Sequence, residues 1–127
     1  MAKKEFTFYG KTVDELKKMT LDDFAKLVPS RERRKIKRGF TDAEKRLLVR
    51  VRKNEVNIET HCRDMMIIPD MIGQQIRVYN GKEFQVVAIN EEMLGHRLGE
   101  FALTRKSVHH SAPGIGATKS SGALSVK

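Results

Sequence analysis

Apolar residues recur at helical spacing up to about residue 53 and alternate from about residue 65 onward, so helices are predicted first and strands second. A short arm, residues 1–12, precedes the first helix and carries Phe6, Phe8 and Tyr9 before Gly10. It reads as extended chain whose aromatics either stay free or pack on RNA or protein. Thr12 opens a turn with Val13 and Leu16 inward, and Thr20-Leu-Asp-Asp23 is a second start with a hydroxyl cap and acids in the first turn. Leu21, Phe24, Leu27 and Val28 then share one side, and Pro29 ends the helix. Both helices are too short to persist without docking.

In Ser30-Arg-Glu-Arg-Arg-Lys-Ile-Lys-Arg-Gly39, Ser30 is the expected cap, and Gly39 is expected to close the helix in the left-handed conformation. Ile36 is its one apolar residue, so no core-building face is expected. Thr41-Asp-Ala-Glu44 is a capping box that starts a helix running to about Lys53. Ala43, Leu47, Leu48 and Val51 share one face of it, and Lys45, Arg46, Arg50, Arg52 and Lys53 spread over the rest.

Residues 54–64 have no clear period and read as a connector. Met65-Met-Ile-Ile68 is predicted as a short strand stopped by Pro69. Ile76 to Tyr79 and Glu83 to Ile89 are predicted to pair as a hairpin, with Asn80-Gly81 at the centre of a type I′ turn. The sheet should be apolar on one face and mixed on the other, and Tyr79 on the mixed side is either a base-stacking residue or an ordinary cross-strand partner. Asn90 then caps a helix in which Leu94, Leu98 and Phe101 recur at i, i+4 and i+7, with His96 and Arg97 turned away. Gly95 and Gly99 within it would admit another backbone, protein or phosphodiester, and Gly99 has a C-cap as its alternative role.

These elements add up to an α+β fold. A small three-stranded, largely antiparallel sheet is covered on one side by helices. The expected organisation is an N-terminal helical basic extension (1–38), a core domain (39–105) and a flexible, disordered basic C-terminal tail (106–127), with no acid after Glu100.

Charge turns this outline toward function. Lys and Arg number 25 against 16 acids, a net +9, which calls for an anionic partner. Eleven basic residues but only three acids fall between Arg31 and Lys53, so one block holds most of the excess. Six cations within residues 31–38 repel one another unless a polyanion neutralises them; the alternative is a solvated helix face. Candidate RNA contacts are therefore Arg31, Arg33, Arg34, Lys35, Lys37, Arg38, Arg50, Arg52 and Lys53, then Arg77 and Lys82 on the hairpin, Gly95, His96 and Arg97, and Arg105 and Lys106 at the start of the tail. The tail either solubilises or orders on RNA.

Other chemistry finds little support. Cys62 is the lone cysteine, so no intramolecular disulfide forms, and a reducing, cytoplasmic setting follows. No apolar run reaches the length of a membrane span and the N-terminus lacks a signal-like segment, so no membrane partner is expected. His61-Cys62 side chains on extended chain point to opposite sides and cannot act as base and nucleophile. His96 and His109-His110 lack further ligands at metal spacing, so no metal or cofactor is expected, nor is a homo-oligomer. A metal-dependent nuclease built on Asp64 or Asp70 would need converging carboxylates, which the scattered acids do not promise. A free-standing RNA chaperone is the remaining alternative to a structural RNA-binding protein.

Three stretches in order, Pro69-Asp-Met-Ile-Gly73, Val78-Tyr-Asn-Gly-Lys82 and Glu92-Met-Leu-Gly-His-Arg-Leu-Gly-Glu-Phe-Ala-Leu-Thr-Arg105, resemble successive signatures of the ribosomal small-subunit protein S-nineteen family. The resemblance covers roughly Gly39 to His110, and the preceding helical segment resembles the extension of archaeal and eukaryotic members. It implies a non-enzymatic constituent of the small subunit that binds rRNA in the subunit head beside protein S-thirteen, with the tail reaching toward the decoding region and tRNAs. It also implies that Gly95-His-Arg-Leu-Gly-Glu-Phe101 faces rRNA, Arg97 standing where the family has Lys. Bacterial members carry a Ser-Arg-Arg-Ser-like run near Cys62-Arg-Asp-Met65, so Arg63 is the implied phosphate contact there and Asp64 departs from the pattern.

Overall fold

A computed structural model describes residues 2–114. Four helices come first, α1 (Val13–Lys18), α2 (Leu21–Leu27), α3 (Ser30–Arg38) and α4 (Asp42–Arg52). Three strands follow, β1 (Ile58–Thr60), β2 (Gln75–Tyr79) and β3 (Phe84–Ala88), with 3-10 turns at Pro69–Met71, Glu91–Met93 and Leu98–Phe101. The fold is α+β with a three-stranded sheet in the order β1-β2-β3.

The helix starts follow their sequence signals. The Asp23 N–H donates to Thr20 Oγ1 at 3.3 Å, while Glu44 Oε2 accepts from the Thr41 N–H at 2.9 Å and Thr41 Oγ1 accepts from the Glu44 N–H at 3.4 Å. Leu16, Phe24, Ala25 and Val28 from α1, α2 and its C-cap are buried in the same core as Leu47, Leu48 and Val51 of α4. Docking compensates for the short length of the first two helices. Phe6 and Phe8 pack against this core too, and the Phe8 ring stacks on Phe24 with centroids 6.0 Å apart. The N-terminal arm is thus fastened down rather than free.

Several expectations are corrected. Pro29, not Ser30, is the cap residue of α3, and Ser30 is its first helical residue. Gly39 takes φ 89° with ψ 163°, a glycine region but not the left-handed helical one. α3 does have an inward face, formed by Ile36 and the buried acid Glu32. Ala43 of α4 is exposed, and Glu44 occupies the buried face instead.

The sheet differs from expectation in its third strand. Met65, Met66, Ile67 and Ile68 are fully buried, but they are a core-spanning segment that makes one isolated bridge, Met66 to Arg97, and no strand of the sheet. Their uninterrupted apolarity comes from burial on all sides, which a period of two does not describe. The third strand is Ile58–Thr60, inside the expected connector, and it pairs parallel to β2 with Ile58 opposite Ile76. β2 and β3 form the longer antiparallel ladder, with Ile76 opposite Val87 and Tyr79 opposite Phe84. Ile58, Ile76, Val78 and Val87 enter the core, while Glu59, Arg77 and Val86 form a row across the opposite face.

The hairpin turn lies one residue later than predicted. The Asn80 N–H donates to the Glu83 carbonyl at 3.0 Å, which puts Gly81 and Lys82 at the centre. Gly81 alone there has positive φ, at 103°. Asn80 instead uses its side-chain oxygen, which accepts from the N–H groups of Lys82 and Glu83 at 2.9 Å. This is the Asx-turn alternative open to asparagine.

Residues 90–101 form no α-helix. Two 3-10 turns are separated by Gly95 at φ 79°, where the chain reverses its curvature. Leu94 and Leu98 are nonetheless buried, so the apolar spacing marked core residues while the glycine decided the backbone. Gly99 is no helix cap; its N–H donates to the Arg63 carbonyl at 2.9 Å. Residues 106–114 are exposed and outside any helix or strand, and the remainder of the expected tail lies outside the described residues.

Candidate nucleic-acid interface

On α3 each residue advances 100°, so the inward positions Glu32, Ile36 and Arg33 take one side. Lys37, Arg34, Arg38 and Arg31 fall on the outward side within an arc of about 120°. All four are exposed and none is in an ion pair or side-chain hydrogen bond among the described residues. Four unpaired cations on one face of a nine-residue helix form an electropositive ridge. On α4 the buried side is Glu44, Leu47, Leu48 and Val51, and Lys45 and Arg46 stand exposed and unpaired on the other.

A partly buried ion pair joins these helices. Lys35 Nζ pairs with Glu44 Oε1 and also donates to the Asp64 carbonyl at 2.7 Å. Burial alone would raise the Glu44 carboxyl, but the Lys35 ammonium and the Thr41 N–H outweigh it and leave the group below its ordinary value. Lys35, a sequence candidate for RNA, is taken up by this joint.

Other candidates are divided in the same way. Arg33 Nε donates to the Ala25 carbonyl at 3.0 Å and Nη2 to the Lys26 and Val28 carbonyls at 3.3 Å, so it caps the C-terminus of α2. Arg63 donates to the carbonyls of Tyr79 at 2.7 Å and of Gly99 and Ala102 at 2.8 Å, tying the hairpin to the last 3-10 turn. Arg97 turns inward rather than lying beside exposed His96; its Nε meets Glu32 Oε1 at 2.9 Å and its Nη1 lies 3.6 Å from Asp64. His96 Nδ1 lies 2.8 Å from Glu100 Oε2 on the surface. Gly95 is half-buried, and a Cβ there would touch Phe8 and Val28 rather than open space.

Arg50 pairs with Glu55 at 2.8 Å, Arg77 with Glu59 at 3.2 Å and Arg52 with Asp70 at 3.4 Å, all at partly exposed positions where such pairs are weak. Lys53, Lys82, Arg105 and Lys106 are exposed and unpaired among the described residues. Asp64 and Asp70 each face an arginine and do not converge on a common point. Among the described residues no group of three His, Cys, Asp or Glu side chains is placed to hold a metal ion, and no helix is long and apolar enough to cross a membrane.

Lys45, Arg46, His61 and Phe84 were not among the sequence candidates, whereas Tyr79 was weighed there as a base-stacking residue. Lys45 and Arg46 were legible as outward helix cations on α4. The rings of His61, Tyr79 and Phe84 meet on the sheet face opposite the core, with centroids 4.6 Å apart for His61–Tyr79 and 5.1 Å for the other two pairs. Only the parallel pairing of β1 brings His61 beside Tyr79, and no local pattern announces that pairing.

Comparison with known proteins gives the family. Residues 34–110 match the family described as Ribosomal protein S19. The small ribosomal subunit protein uS19 of Methanococcoides burtonii is 50% identical over 119 residues, which cover 94% of this chain and 87% of that protein. The match takes in α4, the sheet and the two 3-10 turns on either side of Gly95, and the chain belongs to the ribosomal protein S19 family.

Proposed function

We propose that this chain is a structural, non-catalytic constituent of the small ribosomal subunit that binds rRNA through the cations of α3 and α4. The observation that carries this reading is the unpaired arc of Arg31, Arg34, Lys37 and Arg38, joined by Lys45 and Arg46 on the helix that Lys35 and Glu44 lock to it. Cations on rigid, mutually docked helices meet phosphates at little ordering cost, and neutralising a polyanion releases its counterions. Contact is chiefly with phosphate and RNA shape. Lys53, Lys82, Arg105 and Lys106 extend the contact at its margins, whereas Arg33, Lys35, Arg63 and Arg97 act mainly by holding the fold.

Family membership supports a finer placement, in the head of the subunit beside protein S-thirteen, with the C-terminal tail near the decoding region and tRNAs. The working compartment is the cytoplasm. Lysate fractionated on a magnesium-containing density gradient, with the small-subunit peak washed in high salt, tests the assignment by mass spectrometry. Stoichiometric retention of the chain in that peak is the expected result. Its absence, with the chain in the soluble fraction, would overturn the proposal. Cross-linking within the retained particle then reports whether S-thirteen is the neighbour.

A further inference from the structure

We infer that His61, Tyr79 and Phe84 form a stacking site for an unstacked nucleobase of single-stranded RNA, a second contact distinct from the phosphate-binding ridge. The inference rests on the RNA-binding reading above and adds a chemical class of ligand to it. All three residues lie on the sheet face opposite Ile58, Ile76 and Val87, and His61 is exposed while Tyr79 and Phe84 are half-exposed. Their interplanar angles of 50°, 54° and 77° make a compact, tilted cluster rather than a flat layer. One ring can offer its face to a base while its neighbours bound the edge.

The platform is preorganised. Tyr79 and Phe84 are opposed residues of the antiparallel ladder, and Arg63 Nη1 clamps the Tyr79 carbonyl from behind at 2.7 Å. Little side-chain entropy remains to be lost when a ring stacks. The surroundings favour a base over an apolar protein surface. An imidazole and a phenol supply polar ring edges, and the adjacent positions Glu59, Arg77, Asn80, Lys82 and Glu83 are all polar. Beyond the three rings the apolar surface of this face continues only to exposed Val86, which Arg77 and Glu59 flank in the neighbouring strands. The cluster is the size of one base, and Lys82 on the next turn supplies an exposed cation for the adjoining phosphate.

The test uses the full chain with two RNA probes of equal length, a single-stranded uridine–adenine oligomer without self-pairing and an A-form duplex. Tyr79→Leu and His61→Ala should each weaken single-strand binding by about 5- to 150-fold and leave duplex binding within about twofold, because stacking needs an accessible base. Tyr79→Phe should restore the affinity. Two tyrosines are present, so in a Tyr9→Phe background the remaining tyrosine fluorescence should be quenched by the single strand alone. His61 is exposed, so its variant serves as the folding-neutral check, and thermal melts accompany both.

Equal losses on both probes, or no loss on the single strand, would overturn the stacking site. Wild-type protein that binds the duplex with a normal salt slope and ignores the single strand would also overturn it, while sparing the phosphate-binding reading. Failure to bind either probe would remove both.

Discussion

Arg63 illustrates how a cation in a basic protein can serve the fold instead of the ligand. Its guanidinium satisfies the carbonyls of Tyr79, Gly99 and Ala102, which come from two distant parts of the chain. Arg63→Ala leaves three acceptors unpaired at a half-buried site, so a stability loss of about 2–4 kcal/mol is expected by chemical denaturation. The salt slope of RNA binding should not change, which separates this residue from the ridge. Glu44 makes the complementary case among acids. Its carboxyl is held below the ordinary value in the folded chain, so the unfolded chain binds the proton more readily. The stabilisation is complete above the ordinary glutamate pKa and disappears as pH falls through the lower folded value. Glu44→Gln should therefore cost on the order of 1–3 kcal/mol near neutral pH, and the gap from wild type should narrow below about pH 4, as thermal melts across pH would report.

Among elements, the glycine-bearing segment after β3 makes the clearest prediction. At Gly95 a Cβ would find ordinary contacts, Phe8 Cζ at 3.7 Å and Val28 Cγ1 at 4.0 Å, yet φ is 79°. Gly95→Ala is thus expected to cost about 1–2 kcal/mol through backbone strain alone. At Gly99 φ is negative, but a Cβ would lie 3.0 Å from Arg63 Cβ and 3.1 Å from its carbonyl. Gly99→Ala should cost about 1–3 kcal/mol through crowding, and Arg63→Gly in the same chain should relieve part of it, a coupling that a double-mutant cycle would measure. The positive φ of Gly95 was not visible in the sequence; the close approach of another backbone expected at Gly99 is present, but its partner, Arg63, was not legible. Signals confined to a few neighbouring residues were legible: Thr20 and Thr41 cap their helices, and Ile76 and Val78 face inward. Features set by distant pairing were not. The strand Ile58–Thr60 is too short to show a period, and Met65 to Ile68 is apolar because core surrounds it. Among the candidate cations the same rule held: exposure of Arg31, Arg34 and Arg38 follows from helix phase, but the inward roles of Arg33, Arg63 and Arg97 depend on carbonyls and an acid supplied from elsewhere.

For the molecule as a whole, a net charge of +9 is divided between cations consumed by the fold and cations left to solvent. Consumed cations are short-range and buried enough to resist screening, whereas the free ridge acts through a field that salt weakens. This division predicts which substitutions alter affinity and which alter stability. Replacing Arg31, Arg34, Lys37 and Arg38 together by Gln keeps helix propensity and leaves Glu32, Arg33, Lys35 and Ile36 in place, so the melting temperature should stay within a few degrees. The slope of log affinity against log salt should fall in magnitude by about 0.7–0.9 for every phosphate that is no longer neutralised. Arg33→Gln should do the reverse, lowering stability by removing the α2 cap while barely changing the slope. An unchanged slope in the fourfold variant would move the interface from α3 to Lys45, Arg46 and the basic residues after Glu100. Because each slope counts phosphates rather than total affinity, the two variants would settle that choice even if both bound RNA more weakly.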